Sequence, residues 1–533
     1  MAETYDYIIV GAGASGSVLA ARLAEDSNAS VLVLEAGGSD RHPALRLPGL
    51  GFAAGTLKSK TWNFVTEPNP AIDGRQVTLL AGRVLGGSGS LNGMVYARGH
   101  SSGYDRWAGA GCTGWGFEDV LPWFRRSESN FRGASRLHGA DGPMPLRQAR
   151  PDLPICDSFL MAAAASGIPV VADLNEDHSE GFGFYDVNIH RGLRQSSART
   201  HLRPATSRPN LHVRLRAEVT RICFTGDRAS GVEIGTTRIH ARQEVILCAG
   251  AIMSAKLLLL SGIGPEEELR RHGIRPVALS PKVGKNLQNH PCYRPRISCM
   301  DPVSARHHLT PYGLTRAAYQ WLSRGEGLLS ESFASVGGFF KSDPDLAIAD
   351  MQVVFLSALP PGGATGLWGL IPREEGFGLT IYQGTPASRG EVGLRGADPR
   401  LAPRIETAAF RDPGDLQILA RGVARIRALL QQPEIARHIR AEIAPGAAVT
   451  THDDLVAEIR RNAATSYHQC GTCAIGPGPE DVVAPDLQVR GVSGLRVADT
   501  SVIPVLPNAA LHAVALMIGE RAAGFILGAS PTP

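Results

Sequence analysis

Long apolar runs, blocks of one charge and paired cysteines are all missing from this chain of 533 residues. The best candidate for a membrane span, AALHAVALMIGERAAGFIL (509–527), is broken by Glu520 and Arg521, so no transmembrane segment is expected. Lys and Arg number 54 against 50 Asp and Glu, with no basic block, so no nucleic-acid partner is expected. The eight cysteines are scattered, and free thiols are the expectation. CGTC (470–473) has the C-x-x-C spacing, but no second pair or His pair at zinc spacing accompanies it, so no metal is expected. The start, MAETYDYIIVGAG, carries acidic residues where a secretory signal needs positive charge, and it runs directly into a strand. A cytoplasmic protein is the expectation.

What is present is ordinary globular composition, 43% hydrophobic and 20% charged, in a chain too long for one core. YDYIIVGAGASGSVLAARLAED (5–26) reads as a buried strand, a glycine turn and a helix. Gly11 makes the tight turn, Gly13 lets backbone approach a pyrophosphate, and Gly16 lets helix pack on strand. Ala14 and Ser15 open the helix, whose unpaired amides face the phosphates. The next strand, SVLVLEAG, ends in Glu35 and Ala36, and a carboxylate at Glu35 can accept the hydroxyls of an adenosine ribose. The ligand is a dinucleotide, NAD or FAD.

The stretch GRVLGGSGSLNGMVYARG (82–99) holds six glycines beside the apolar Val84, Leu85, Leu91, Met94 and Val95. A solvated linker would lack those apolar residues, so this is a buried loop pressed against a ligand.

These stretches, with GAIMSAKLLLLSGIGP (250–265), VGKNLQNHP (283–291), YHQCGTCAIG (467–476) and GLRVADTSVIPVLPNAALHAVALMIGERAA (494–523), resemble the glucose–methanol–choline (GMC) oxidoreductases along the whole chain. The resemblance implies FAD as the cofactor. It implies a mixed α/β and α+β fold, in which a Rossmann-like FAD-binding domain (1–150, 200–293, 463–533) is interleaved with a substrate domain (151–199, 294–462) built on an antiparallel sheet. The runs MQVVFLSA, GFGLTIYQ and GEVGLRG suggest strands of that insert, and SRGEVGLRGADPRLAPRIE (388–406) resembles the sheet that roofs the flavin. PGDLQILARGVARIRALLQQP has the apolar spacing of a helix.

By the same resemblance Arg83, Val84, Ser88, Asn92, Gly93, Met94 and Val95 line the cofactor. Val219, in the strand-like AEVTRI, contacts adenine, and Asp499 lies near the ribityl–diphosphate part. Asn508 and Ala509 stand at the start of the expected C-terminal helix, whose N-terminus faces the flavin edge and favours the charge that develops there.

Alcohol oxidation by a flavin needs a base for the hydroxyl proton, and histidine suits that task near neutral pH. Of sixteen histidines, His468 stands where the family's catalytic histidine does. The family's second His or Asn falls on Ala510, which can neither donate nor accept a hydrogen bond. His512 is the candidate substitute, but in a helix it would face away from the side of Ala510 unless the first turn is irregular. The implied reaction is oxidation of a primary alcohol to an aldehyde, with hydride passing to FAD and the proton to His468. Dioxygen or another acceptor then reoxidises the flavin, an oxidase being favoured. The alternative is a lyase or flavin photodecarboxylase on the same fold.

Overall fold

The computed structural model describes residues 3–26, 28–359 and 374–529. The β-branched and aromatic run Thr4–Val10 forms a strand at the centre of a seven-stranded sheet. It pairs in parallel with Val31–Glu35 on one side and with Thr237–Leu247 on the other. Leu211–Leu215 extends the sheet beyond Val31–Glu35, and Leu495–Val497 joins Thr237–Leu247, both in parallel. An antiparallel ribbon, Arg228–Ile234 and Arg221–Thr225, completes it. Val219 therefore sits in the link before a strand that starts at Arg221, four residues later than AEVTRI suggests.

The second sheet has eight strands, all pairings antiparallel, with Gly376–Gln383 flanked by Met351–Leu356 and Arg296–Cys299. Helix Pro413–Leu429 packs on it, started by Asp412, whose side chain accepts from the Gly414 amide at 2.8 Å. Residues 291–293 and 464–465, assigned from sequence to FAD-binding chain, pair with each other in this second sheet. The stretch 388–406 differs from expectation more strongly. Glu391–Gly393 and Arg404–Glu406 pair only with each other, as a ribbon against helix Gly250–Leu260.

Two helices carry their N-termini to the same place. Ala14–Leu23 and His512–Leu527 pack side by side, tied by the Ser15 hydroxyl donating to the Ala515 carbonyl at 2.7 Å. Gly519 makes the approach possible, because a Cβ there would lie 2.6 Å from the Ser15 carbonyl oxygen.

A buried polar cluster holds the end of the glycine-rich loop. The Arg98 amide donates to Asn175, and its guanidinium lies 2.7 Å from Glu128. His138 sits between Glu128 and Asp173, at 2.9 and 2.6 Å. Burial opposes a charge on His138, but the two carboxylates outweigh it and raise its pKa to about 9. That pKa lies above the ordinary 6.5, so the stabilisation is full below about pH 6.5 and is lost as pH rises through about 9. Thermal unfolding followed from pH 7 to 10 should show a loss of roughly 2–3 kcal/mol, which His138→Gln should flatten.

Candidate active site

One cavity of about 660 Å³ runs from the first sheet to the second. Its near end is the turn after Thr4–Val10. Gly11 adopts φ +106°, and a Cβ there would lie 2.4 Å from the Cys248 carbonyl oxygen, so only glycine fits. Gly13, Ala14 and Ser15 line the wall, with the helix N-terminus opening onto the cavity and no acidic residue in its first turn. Gly16 does not reach the wall. It seats helix against turn, where a Cβ would lie 2.1 Å from the Gly11 carbonyl oxygen. The glycine-rich loop lies across this turn, the Gly86 amide donating to the Ala12 carbonyl at 2.8 Å.

Glu35 and Ala36 line the same end. The Glu35 carboxylate accepts from the amides of Ala12 (3.0 Å) and Gly37 (2.7 Å). Burial pushes its pKa up to about 7, against the pull of those amides. Val219 lines this region too. Farther along, Ser88, Asn92, Gly93, Met94 and Val95 form one wall. Met94 is held at φ +65°, and the Asn92 side chain accepts from its amide at 3.1 Å. Asp499 also lines the wall, where it accepts from Gly250, Ser254 and Ser501, so it caps two turns as well.

Arg83 and Val84 stand one layer behind the wall, contrary to expectation. The Arg83 guanidinium pairs with Glu218 at 2.7 Å and lies over the Trp62 ring, while Val84 packs in an apolar cluster with Leu45 and Ala54. Asn508 and Ala509 are likewise turned away. Asn508 accepts from the His100 amide and donates to the Ala349 carbonyl, and Ala509 is packed in a separate cluster. The reason is a late helix start: the helix begins at His512, four residues beyond the expected point. Residues 508–511 are irregular, so the helical angle between positions 510 and 512 does not apply, and both Ala510 and His512 line the cavity.

His512 lies against Gly89, where a Cβ would come within 2.9 Å of its ring, and its Nε2 is buried without a partner among the described residues. Burial, with the nearby Arg194 charge, lowers its pKa to about 4, so the ring is neutral. Arg194 was not legible beforehand. Its Nη1 donates to the Asn92 carbonyl and side chain at 2.6 Å, while Nε and Nη2 are buried and have no partner among the described residues. A helix N-terminus and a partnerless imidazole on the wall, with the half-paired Arg194 guanidinium near His512, suit a large anionic dinucleotide at this end of the cavity.

At the far end His468 lines the cavity, and its partner is His290 rather than His512. The two Nδ1 atoms lie 2.8 Å apart, and His290 Nε2 lies 2.9 Å from the Gly384 carbonyl oxygen. A carbonyl can only accept, so His290 carries its proton on Nε2 and offers Nδ1 as an acceptor. His468 must then donate from Nδ1, which leaves its Nε2 unprotonated and without a hydrogen-bond partner among the described residues. Asn289 fixes the pair, accepting from both the His290 and His468 amides. Tyr382 stacks on His290 at 4.8 Å. Burial holds His468 well below its ordinary pKa, with His290 adding to the effect, and burial brings His290 down to about 4. Both rings are neutral at pH 7, and His468 is a poised proton acceptor. The signal for His290 was in the sequence, inside VGKNLQNHP, but nothing in its spacing from His468 announced the contact.

Cys470 and Cys473 are buried free thiols, and no group of metal-ligating residues occurs among the described residues. No helix among them is long and apolar enough to cross a membrane.

A family model described as GMC oxidoreductase matches residues 5–292, and a second of the same description matches 386–519. An oxygen-dependent choline dehydrogenase of Brucella melitensis is 37% identical over 533 residues, covering 99% of this chain and 96% of its own. Pyridoxine 4-oxidase from Mesorbium loti superposes with a TM-score of 0.88 at 27% identity, over 99% of this chain and 100% of the other. An FAD-dependent oxidoreductase from Chaetomium thermophilum gives 0.88 at 27% identity, over 98% and 99%.

Proposed function

The chain belongs to the GMC oxidoreductase family, with FAD as its cofactor, and from that premise we propose that it oxidises a primary alcohol to an aldehyde with His468 as the base. The observation that carries this reading is the hydrogen-bond relay from Gly384 through His290 to His468, which leaves one unprotonated ring nitrogen at the cavity. Bound FAD supplies the acceptor for the hydride that leaves the carbinol carbon. His468 Nε2 takes the hydroxyl proton, and the resulting imidazolium keeps its Nδ1–H bond to His290. His290 stays neutral throughout, its Nε2–H committed to Gly384, so it orients the base and takes no proton itself.

Gly13, Ala14 and Ser15 would hold the pyrophosphate, Glu35 the adenosine ribose and Val219 the adenine end. Asn92 to Val95, Asp499 and His512 would hold the remainder, with neutral His512 beside the unpaired Arg194 on the cofactor side of the base. The empty second position at Ala510 is offset by His290, which reaches the base from another strand. Segments 1–150, 200–290 and 466–533, with the ribbon Glu391–Gly393 and Arg404–Glu406, would form the cofactor-binding part, and 151–199 with the rest of 291–465 the part that shapes the substrate end.

Mixing the purified yellow protein anaerobically with a panel of primary alcohols tests the reading. Bleaching of the flavin band with aldehyde formed in equal amount is the expected result. Product formed from a cyanohydrin, or under light from a carboxylic acid, without bleaching by any alcohol would establish the lyase reading instead. Admitting air, or an artificial acceptor, to the bleached protein then separates an oxidase from a dehydrogenase.

A further inference from the structure

We propose that the alcohol this enzyme oxidises carries a carboxylate, received by Arg294; the inference rests on the alcohol-oxidation reading and names its substrate class. Arg294 follows strand Pro291–Tyr293, four residues after His290, and lines the cavity at the His468 end. The register Cys292↔Tyr382 and Tyr293↔Ile381 sets it across from Thr380, which lines the same wall. Its Nη2 donates to the Thr465 carbonyl at 2.8 Å, and its guanidinium lies 5.8 Å from the Tyr467 ring centroid. Among the described residues no carboxylate stands within ion-pair distance of it. Its other side-chain neighbours, Cys292 and Tyr467, carry a thiol and a phenol, so no carboxylate balances its charge among the described residues.

Two further donors face this end without partners: the Ser466 hydroxyl and the Gln469 side-chain amide are both buried and unpaired, and both residues line the cavity. Of the acidic residues on the wall, Glu35 and Glu218 stand on the first sheet and its connections, and the Asp499 carboxylate is committed to Gly250, Ser254 and Ser501. Val354, Leu356 and Phe333 supply an apolar flank beside Arg294. A half-buried cation with unpaired hydroxyl and amide donors and an apolar flank is complementary to a hydroxymethyl compound bearing a carboxylate on an apolar body. The same charge repels a quaternary ammonium alcohol, so choline, the substrate in the name of the Brucella relative, is a poor fit here.

Binding to the holoenzyme reads the site without turnover. Benzoate and its neutral isostere benzamide are titrated against the oxidised protein, following the perturbation of the flavin absorbance band. Benzoate should bind about 10–100-fold more tightly, the range of a charge-assisted hydrogen bond converted to affinity. Arg294→Met should abolish that preference with FAD retained, and Arg294→Lys should restore part of it. In turnover, 4-(hydroxymethyl)benzoate should exceed benzyl alcohol in kcat/KM by a similar factor, with choline the poorest of the three.

Equal binding of benzoate and benzamide, or a preference that survives in Arg294→Met, overturns the proposal. Loss of FAD from both variants assigns the guanidinium to the cofactor and overturns it as well. If Arg294→Met does not fold, a benzoate preference in Arg294→Lys as strong as in the parent supports a cationic carboxylate site, and its complete loss with FAD retained does not. Tight benzoate binding without bleaching by any alcohol would leave the anion site standing and remove the alcohol reading. Bleaching by benzyl alcohol with no benzoate preference would do the reverse.

Discussion

Replacing His468 with alanine is expected to slow flavin reduction by the best alcohol about 10²–10⁴-fold while FAD stays bound, the range for a positioned acid–base group. The loss falls on the chemical step because His468 sits at the substrate end of the cavity, apart from the turn at Gly11 and Gly13 and from Glu35. The pH profile gives a second check. Burial holds the His468 pKa well below 6.5, so reduction in the parent should be flat from pH 7 upward and decline only in acid, where the base becomes protonated. Rapid-mixing reduction at several pH values measures both. Normal reduction in His468→Ala would remove the mechanism.

His290→Phe should reduce kcat by about 10–100-fold with KM little changed, because His290 acts through the base and never meets the substrate. Phenylalanine keeps a ring to stack where His290 faces Tyr382, but it removes the acceptor that fixes the His468 proton on Nδ1. Without it His468 samples the other tautomer and other ring orientations, and only part of the population presents a bare Nε2. His290→Asn, which retains an acceptor, should recover part of the rate. A merely structural His290 would show its loss as lower stability or lost FAD with kcat unchanged per bound flavin. The companion variant His512→Ala should leave this relay intact and show its effect in the flavin spectrum and FAD retention, since its ring lies against Gly89 of the cofactor-binding loop. A collapse of kcat in His512→Ala alone would transfer the base assignment to that residue.

Much of this was legible in local sequence. The turn at Gly11–Gly16, the carboxylate at the end of the second strand and the glycine-rich loop are contiguous motifs. Each must satisfy a backbone conformation or a close approach that few residue types allow, so chemistry and position coincide in the chain. The run Val31–Glu35 shows it: five buried residues ending in a carboxylate, legible as a strand from their order alone, with Glu35 at the cavity.

What failed depended on where chains cross. Arg83 and Val84 belong to the right loop but point behind it, because Glu218, far along the chain, pairs with the guanidinium and Leu45 and Ala54 enclose the valine. Asn508 was drawn to His100 and Ala349, and the helix began at His512, four residues later than the start expected at Asn508. His290 and His468 lie 178 residues apart and meet only because strands Pro291–Tyr293 and Ala464–Thr465 pair. Arg294 comes to the same wall through the same pairing. Local sequence determined the end of the cavity at Gly11, Gly13 and Glu35, where a few consecutive residues form the turn and the wall. Tertiary structure alone decided the substrate end, because its partners lie far apart in the chain and only long-range strand pairing brings their side chains within hydrogen-bond reach.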